Sequence, residues 1–333
     1  MLSPEKLADN IWFHLLHVPK IGWLRTGYQG CIRAIRQKLR QIQPDIVHGQ
    51  GTERECALGA IFSGFPNVVT IHGNITSIAR STGAPIGSYW WFTAVLERFT
   101  LPRTLGVFCN SGYTESVVRP RAHQTWLVPN AVRREFFDAP LPAKATPSKP
   151  ILLNIGTIAP HKRQLSLLEL AEELHQEGYS FELQFIGAVD SCNKHSRTFL
   201  RKMETAERTG FARYLGMQSL PNLIASLDAA SALIHVPCEE AFGLVVAEAL
   251  SRNLKFFGTD VGGLRDIAEN VEGAELFPLE DRGALHSAIA DWLQAGCPQP
   301  KSAAMEMRRR YHPEVIAKRH AEIYGEVLAT HVS

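Results

Sequence analysis

Residues 232–250 read Ala232-Leu233-Ile234-His235-Val236-Pro237-Cys238-Glu239-Glu240-Ala241-Phe242-Gly243-Leu244-Val245-Val246-Ala247-Glu248-Ala249-Leu250. The opening run is apolar without alternation and too short for a helix, so it reads as a strand covered on both faces. Past Gly243 the apolar residues take a helical spacing. Glu240 and Glu248 stand eight positions apart, and at about 100° per residue eight steps return close to one helical face. Glu240 is therefore expected in the loop at the strand's carboxyl end, and Glu248 one to two turns inside the helix. Between them the N–H groups of Phe242, Gly243, Leu244 and Val245 would point outward at a helix N-terminus, where a phosphate can sit. Gly243 lets an anion approach the backbone closely. Either acid alone reads as a dipole partner or a solvated helix residue. Paired after a buried strand and beside a glycine, they read as a functional site.

The same grammar extends in both directions. Strands are expected at 151–155, 181–186, 212–215, 232–236, 254–257 and 274–276, with helices at 163–177, 196–207, 220–228, 243–251, 263–269 and 281–294. A last helix is expected at 312–330. Upstream, short apolar runs at 45–48, 68–72 and 105–109 alternate with helical stretches near 29–43, 52–63 and 112–119. Residues 139–150, APLPAKATPSKP, carry four prolines and no aromatic residue, which marks a linker. The alternation implies an α/β fold of two doubly wound Rossmann-like domains. An N-terminal domain would span 1–138 and a C-terminal domain 151–311, with the helix of 312–333 packing back towards the first. In such sheets ligands sit beyond the carboxyl ends of the strands, so the expected site is a cleft between the domains.

Composition sets the class. The chain has 333 residues, 45% hydrophobic and 20% charged, with 35 basic and 33 acidic side chains. That balance suits a globular protein and excludes disordered and collagen-like chains. Charge is uneven: residues 1–150 hold 17 basic and 9 acidic side chains, and 151–333 hold 18 and 24. Residues 10–44 contain no acid, while Lys20, Arg25, Arg33, Arg36, Lys38 and Arg40 stand among aromatic and aliphatic residues. Such a stretch can lie on an anionic membrane surface, or it can be a solvated basic face over a core. Six scattered cysteines without a C-x-x-C pair, no long apolar run and no signal-like start predict a cytoplasmic protein, at most peripheral at the inner face of the membrane. G-x-G-x-x-G and the P-loop pattern are absent, which argues against a dinucleotide oxidoreductase and a P-loop NTPase.

Glu240-x7-Glu248, with Phe242-Gly243-Leu244 and Glu248-Ala249-Leu250, resembles the signature of the retaining nucleotide-sugar glycosyltransferases of family 4, which have the GT-B fold. Asn154 to Thr157, His161-Lys162-Arg163, Phe185-Ile186-Gly187, Tyr214-Leu215-Gly216 and Gly258 to Leu264 match further family landmarks. The resemblance runs from about residue 40 to the C-terminus. It implies a hexosyltransferase-type enzyme that moves a sugar from a nucleotide-diphosphate donor to a hydroxyl of a glycan or glycolipid, in surface polysaccharide or glycolipid synthesis. By position, Glu240 would stabilise the charge developing at the anomeric carbon and Glu248 would hold the ribose. Lys162 would neutralise the leaving diphosphate together with the amides of Phe242 to Val245. The family often places an arginine where this chain has Thr157, and Arg163 is the candidate substitute. Gly156 would border the donor, and the Gly216-Met217 loop would lie near the base. No D-x-D cluster is present, so the reading implies no cofactor and no metal.

In the first domain, His72 ends a strand and precedes Gly73-Asn74. A histidine there could hydrogen-bond the sugar or handle the acceptor's proton, and it is the second catalytic candidate. His48, Gly73 and Asn74 are the acceptor-side candidates. Family members usually open with a strand and a glycine-rich loop, so this N-terminal domain is expected to be incomplete at its front, its sheet short by a strand or two. Two rival readings follow: a catalytically silent nucleotide-sugar binder with a degenerate first domain, and a nucleic-acid protein using residues 10–44. No recognition motif supports the second, so no nucleic-acid partner is expected.

Overall fold

In the computed structural model, residues 4–20, 23–142, 149–190 and 192–331 are described. Residues 143–148 of the expected linker, and the side chain of Arg25 in the basic stretch, lie outside them. The chain divides into two compact units, residues 1–128 with 319–333, and residues 129–318.

The first unit opens with an antiparallel hairpin of β1 (Glu5–Ala8) and β2 (Ile11–Phe13), where no strand was expected. It stands as its own sheet. The parallel sheet of this unit runs β3 (Val47–Gln50), β4 (Asn67–Ile71), β5 (Gly106–Cys109) and β6 (Thr125–Leu127) in that order. All five residues of β4 and all four of β5 are buried, as unalternating apolar runs require in a covered parallel sheet. Helices Gln29–Ile42 and Gly112–Val118 fall close to their expected places, whereas that of 52–63 shortens to Glu55–Ile61. Two helices, Ile75–Ser81 and Tyr89–Thr100, and the strand β6 had no counterpart in the sequence reading. The aromatic run at 89–92 hides the helical period because nearly every position there is apolar.

The second unit holds six parallel strands: β7 (Ile151–Ile155), β8 (Glu182–Ile186), β9 (Ala212–Gly216), β10 (Ala232–His235), β11 (Lys255–Thr259) and β12 (Ala274–Phe277). Their order is β12-β11-β10-β7-β8-β9. The chain starts at the centre, winds outward one way, then returns beside β7 and winds out the other way, which puts the switch point between β7 and β10. Alternate residues feed opposite cores. Leu152, Leu183, Phe185, Ala232 and Ile234 join one cluster, and Leu153, Ile155, Ile186 and Leu233 join the other. Each face is covered by helices, among them Gln164–Gln176 and Arg282–Gln294 on one side and Leu244–Leu250 on the other. Helix Ala303–Tyr311 was not expected.

Residues 129–138, assigned by sequence to the first domain, belong to the second unit instead. The cause is local packing: Val132 and Phe136 are fully buried in its core, and the Val132 N–H donates to the Tyr311 carbonyl at 2.9 Å. The final helix, Pro313–His331, changes unit at Arg319, beyond which Ile323 and Val327 are buried.

Candidate functional site

The switch point of the second unit collects the charged residues that the sequence singled out. After β7 the chain turns at Gly156 and passes through the short turn Pro160–Lys162. After β10 it carries Glu240 in the loop before the helix Leu244–Leu250. Lys162 Nζ and His235 Nε2 both donate to the same Glu240 oxygen, the second at 3.0 Å. Burial by itself would raise the pKa of this carboxyl. The His235 hydrogen bond and the Lys162 ammonium outweigh it and hold the group at about 2, so Glu240 is ionised throughout the physiological range. Burial pushes the His235 imidazole down, which favours the neutral ring with its proton on Nε2. Its Nδ1 is buried with no partner among the described residues.

Gly243 begins the following helix at φ +92°, and a Cβ there would come within 2.3 Å of Leu264. Only glycine fits that turn, and the turn orients the first helical amides, those of Leu244 and Val245. The Phe242 side chain is a core residue, edge-on to Tyr311 at 5.4 Å. What it can offer a ligand is its backbone.

Glu248 lies on the same helix with its carboxyl almost wholly covered. It makes a contact that no sequence spacing suggests, an ion pair with Arg133 at 3.5 Å. Burial raises the carboxyl to about 7 against the weaker opposing pull of Arg133. Between about pH 4.5 and 7 the folded state keeps a proton that the unfolded chain has released, so this group lowers stability as pH rises through that window. Glu248→Gln is therefore expected to melt above the parent at about pH 8, by about 3 kcal/mol in stability, with the difference vanishing near pH 4.5. Thermal denaturation across that range tests this, and a variant that melts below the parent at the alkaline end would contradict it.

Other donor candidates are dispersed around the same strand ends. Arg163 has a left-handed backbone and donates to the Leu279 carbonyl at 3.1 Å, which commits part of its guanidinium away from Lys162. Gly156 borders open space, and Gly216 adopts φ +65° before Met217, a residue 79% exposed. Among the described residues no group of three or more His, Cys, Asp or Glu could hold a metal ion.

In the first unit His72 is exposed at the carboxyl end of β4, its Nε2 at 3.1 Å from the Gln50 side-chain oxygen. Gly73 follows, and Asn74 is fully buried with its amide 3.5 Å from Thr114 Oγ1. His48 is a correction to the acceptor-side set. Its Nδ1 lies 2.5 Å from Tyr324 Oη and its Nε2 2.6 Å from Thr70 Oγ1. Burial lowers its pKa to about 4. With both nitrogens engaged, the ring anchors the last helix and has none left for an acceptor.

Sequence reasoning missed His235 and Arg133. The first had a signal, since a histidine ending a buried strand five residues before Glu240 can reach it. The second had none, because the pair joins residues distant in the chain.

Residues 140–311 match the model of the family described as Glycosyl transferases group 1, and residues 3–136 match that of Glycosyltransferase Family 4. Over 130 residues the chain is 34% identical to a Caenorhabditis elegans GDP-Man:Man(3)GlcNAc(2)-PP-Dol alpha-1,2-mannosyltransferase, covering 37% of this chain and 27% of that protein. Over 319 residues it is 25% identical to the phosphatidylinositol N-acetylglucosaminyltransferase GPI3 subunit of Saccharomyces cerevisiae (strain YJM789), covering 89% and 66%. The chain thus spans less than two thirds of the length of these relatives. Its fold resembles that of sucrose-phosphate synthase from Thermosynechococcus elongatus, with a TM-score of 0.74 and 18% identity over 90% of this chain and 78% of that one. The two Rossmann-like units are those of the GT-B fold expected from the sequence.

Proposed function

Because the chain belongs to the glycosyl transferases group 1 family, we propose that it is a retaining glycosyltransferase of the family 4 type. Its donor is a nucleotide-diphosphate sugar, and its acceptor is a hydroxyl of a glycan or glycolipid in surface polysaccharide or glycolipid synthesis. The observation that carries this reading is the carboxylate of Glu240, kept ionised by Lys162 and His235 beyond the carboxyl end of β10. A fixed anion in a largely dry site stabilises positive charge as it develops, without reorganising at the moment of reaction.

In the proposed reaction the bond from the anomeric carbon to the diphosphate oxygen breaks, and that oxygen keeps the electron pair. The acceptor oxygen bonds the same carbon from the same face, and its proton passes to the departing diphosphate. Glu240 offsets the oxocarbenium charge. Lys162 and the amides of Phe242 to Val245 meet the diphosphate charge, with no resident metal. Lys162 already touches Glu240, so the diphosphate draws on an ammonium that is in place. Glu248 accepts from the ribose hydroxyls, and His72, with Gly73 and Asn74, serves the acceptor side. The relatives' printed substrates, a GDP-linked sugar and lipid-linked acceptors, support a nucleotide-sugar donor and a glycolipid acceptor.

No helix among the described residues is long and apolar enough to cross a membrane. We place the protein in the cytoplasm, with residues 10–44 against an anionic membrane surface. Trp12, Phe13 and Leu15 are exposed there, as are Arg33, Arg36 and Arg40.

Thermal-shift and calorimetric titration with UDP-, GDP- and ADP-sugars tests the donor site. One nucleotide class is expected to stabilise the chain, and Glu248→Ala to weaken it by about tenfold or more, the value of one or two hydrogen bonds. Binding of none of them would sink the reading. Binding without turnover on any acceptor would favour the silent nucleotide-sugar binder.

A further inference from the structure

Helix Tyr89–Thr100 turns Thr93, Ala94, Leu96, Glu97 and Thr100 into the first unit. Its exposed positions are Tyr89, Trp90, Trp91, Val95, Arg98 and Phe99, so the outward face is aromatic or aliphatic with a single charge, and that charge is positive. Trp91, Val95 and Phe99 recur every four residues and form one stripe. Phe62, also exposed, extends it, with its ring 6.2 Å from that of Phe99. The Arg103 guanidinium stands 3.9 Å from the centre of the Phe99 ring. The helix's one acid, Glu97, is fully buried and held by Arg121 at 2.8 Å and Thr76 at 2.6 Å, so no carboxylate of the helix reaches this face.

We propose that this face docks on an anionic lipid surface, the aromatic rings entering the headgroup layer and Arg98 and Arg103 meeting lipid phosphates. Tryptophan and tyrosine suit that boundary because one end of each ring is apolar and the other polar. Arginine stems can lie along the apolar stripe while their heads stay among phosphates. Charge complementarity selects this occupant over a second copy of the chain. A two-fold interface sets a patch against itself, which would bring each arginine pair up to its own copy. The face adjoins residues 10–44, since Leu96 and Phe92 of this helix pack in one cluster with Tyr28, Cys31 and Ile32, but it consists of different side chains, and it stands whether or not the donor reading does.

Co-sedimentation of the full chain with phosphatidylcholine vesicles, with and without phosphatidylglycerol, tests it. The chain is expected to partition onto the anionic vesicles and to leave them as salt rises. Trp91→Ser with Phe99→Ser should lower partitioning by about tenfold, through lost apolar area. Arg98→Gln with Arg103→Gln should lower it by a similar factor and flatten the salt dependence. All four positions are exposed, so unchanged melting and unchanged sugar-nucleotide binding report an intact fold. Absence of sedimentation with anionic vesicles at low salt would overturn the proposal. So would either double variant sedimenting like the parent, or a concentration-dependent dimer that the Trp91/Phe99 variant loses.

Discussion

Glu240→Gln is expected to lose sugar transfer by about 10²- to 10³-fold, the range for removing one preorganised electrostatic group from a reaction site, while sugar-nucleotide affinity changes only severalfold. The substitution keeps the shape of the side chain and an oxygen for Lys162 and His235, but it removes the negative charge. In the proposed reaction nothing then offsets the positive charge that develops at the anomeric carbon, and that charge exists only in the transition state. The loss should therefore fall on kcat, with KM for the donor nearly unchanged. At neutral pH the parent carboxyl is fully ionised, so the defect should not be relieved by raising the pH. Steady-state transfer and donor titration of the variant settle the matter, and a variant that retains transfer within a fewfold of the parent would remove Glu240 from the mechanism.

The second large effect concerns stability. Arg252 lies just beyond the helix that carries Glu248 and is among the largest fully buried side chains. Its guanidinium donates to both Asp228 oxygens at 2.7 and 2.9 Å, and to the carbonyls of Phe136, Ala139 and Pro140 at 3.1, 2.7 and 2.6 Å. A buried charge is tolerated only when its donors are satisfied, and here one planar fork serves a carboxylate and three backbone oxygens in and just beyond the short helix Glu135–Asp138. Arg252→Met fills much of the volume but leaves all of those acceptors without a donor. The expected loss is about 3–5 kcal/mol, or about 10 °C in the melting of the second unit. Asp228→Asn, which keeps an acceptor for Arg252, should lose about 1 kcal/mol. Denaturant unfolding of both variants measures the difference, and an Arg252→Met change below about 1 kcal/mol would show that the network is worth little. The loss also has a functional side, because Arg252 fastens residues 136–140, and Arg133, which pairs with Glu248, lies shortly before them in the chain.

Much of the fold was legible from residues 232–250 outward. A parallel strand covered on both faces must be apolar at every position, and a surface helix must repeat its apolar residues every three to four, so β7 to β12 and the helices between them could be placed within a few residues. Glu240 and Glu248 could be picked out for the same reason, since a strand end followed by a glycine and a helix leaves few places for two carboxylates to be. The helix Tyr89–Thr100 escaped notice because its outward face is as apolar as its inward one, which removes the contrast that periodicity depends on. The hairpin of β1 and β2 escaped because all its residues are exposed and no buried face imposes alternation.

What only the tertiary structure decided are the pairings between residues far apart in the chain. Sequence places Lys162 after one strand and Glu240 after another, but the strand order that sets β7 beside β10 is what lets them touch. It likewise gives His48 to Tyr324 rather than to an acceptor, Glu248 to Arg133, and residues 129–138 to the second unit. The physical reason is common to all of these. Local propensity and hydrophobic period are properties of neighbouring residues and are written along the chain. The ionisation of a carboxyl, or the freedom of an imidazole, is set by burial and by the charge that packing brings within a few ångströms.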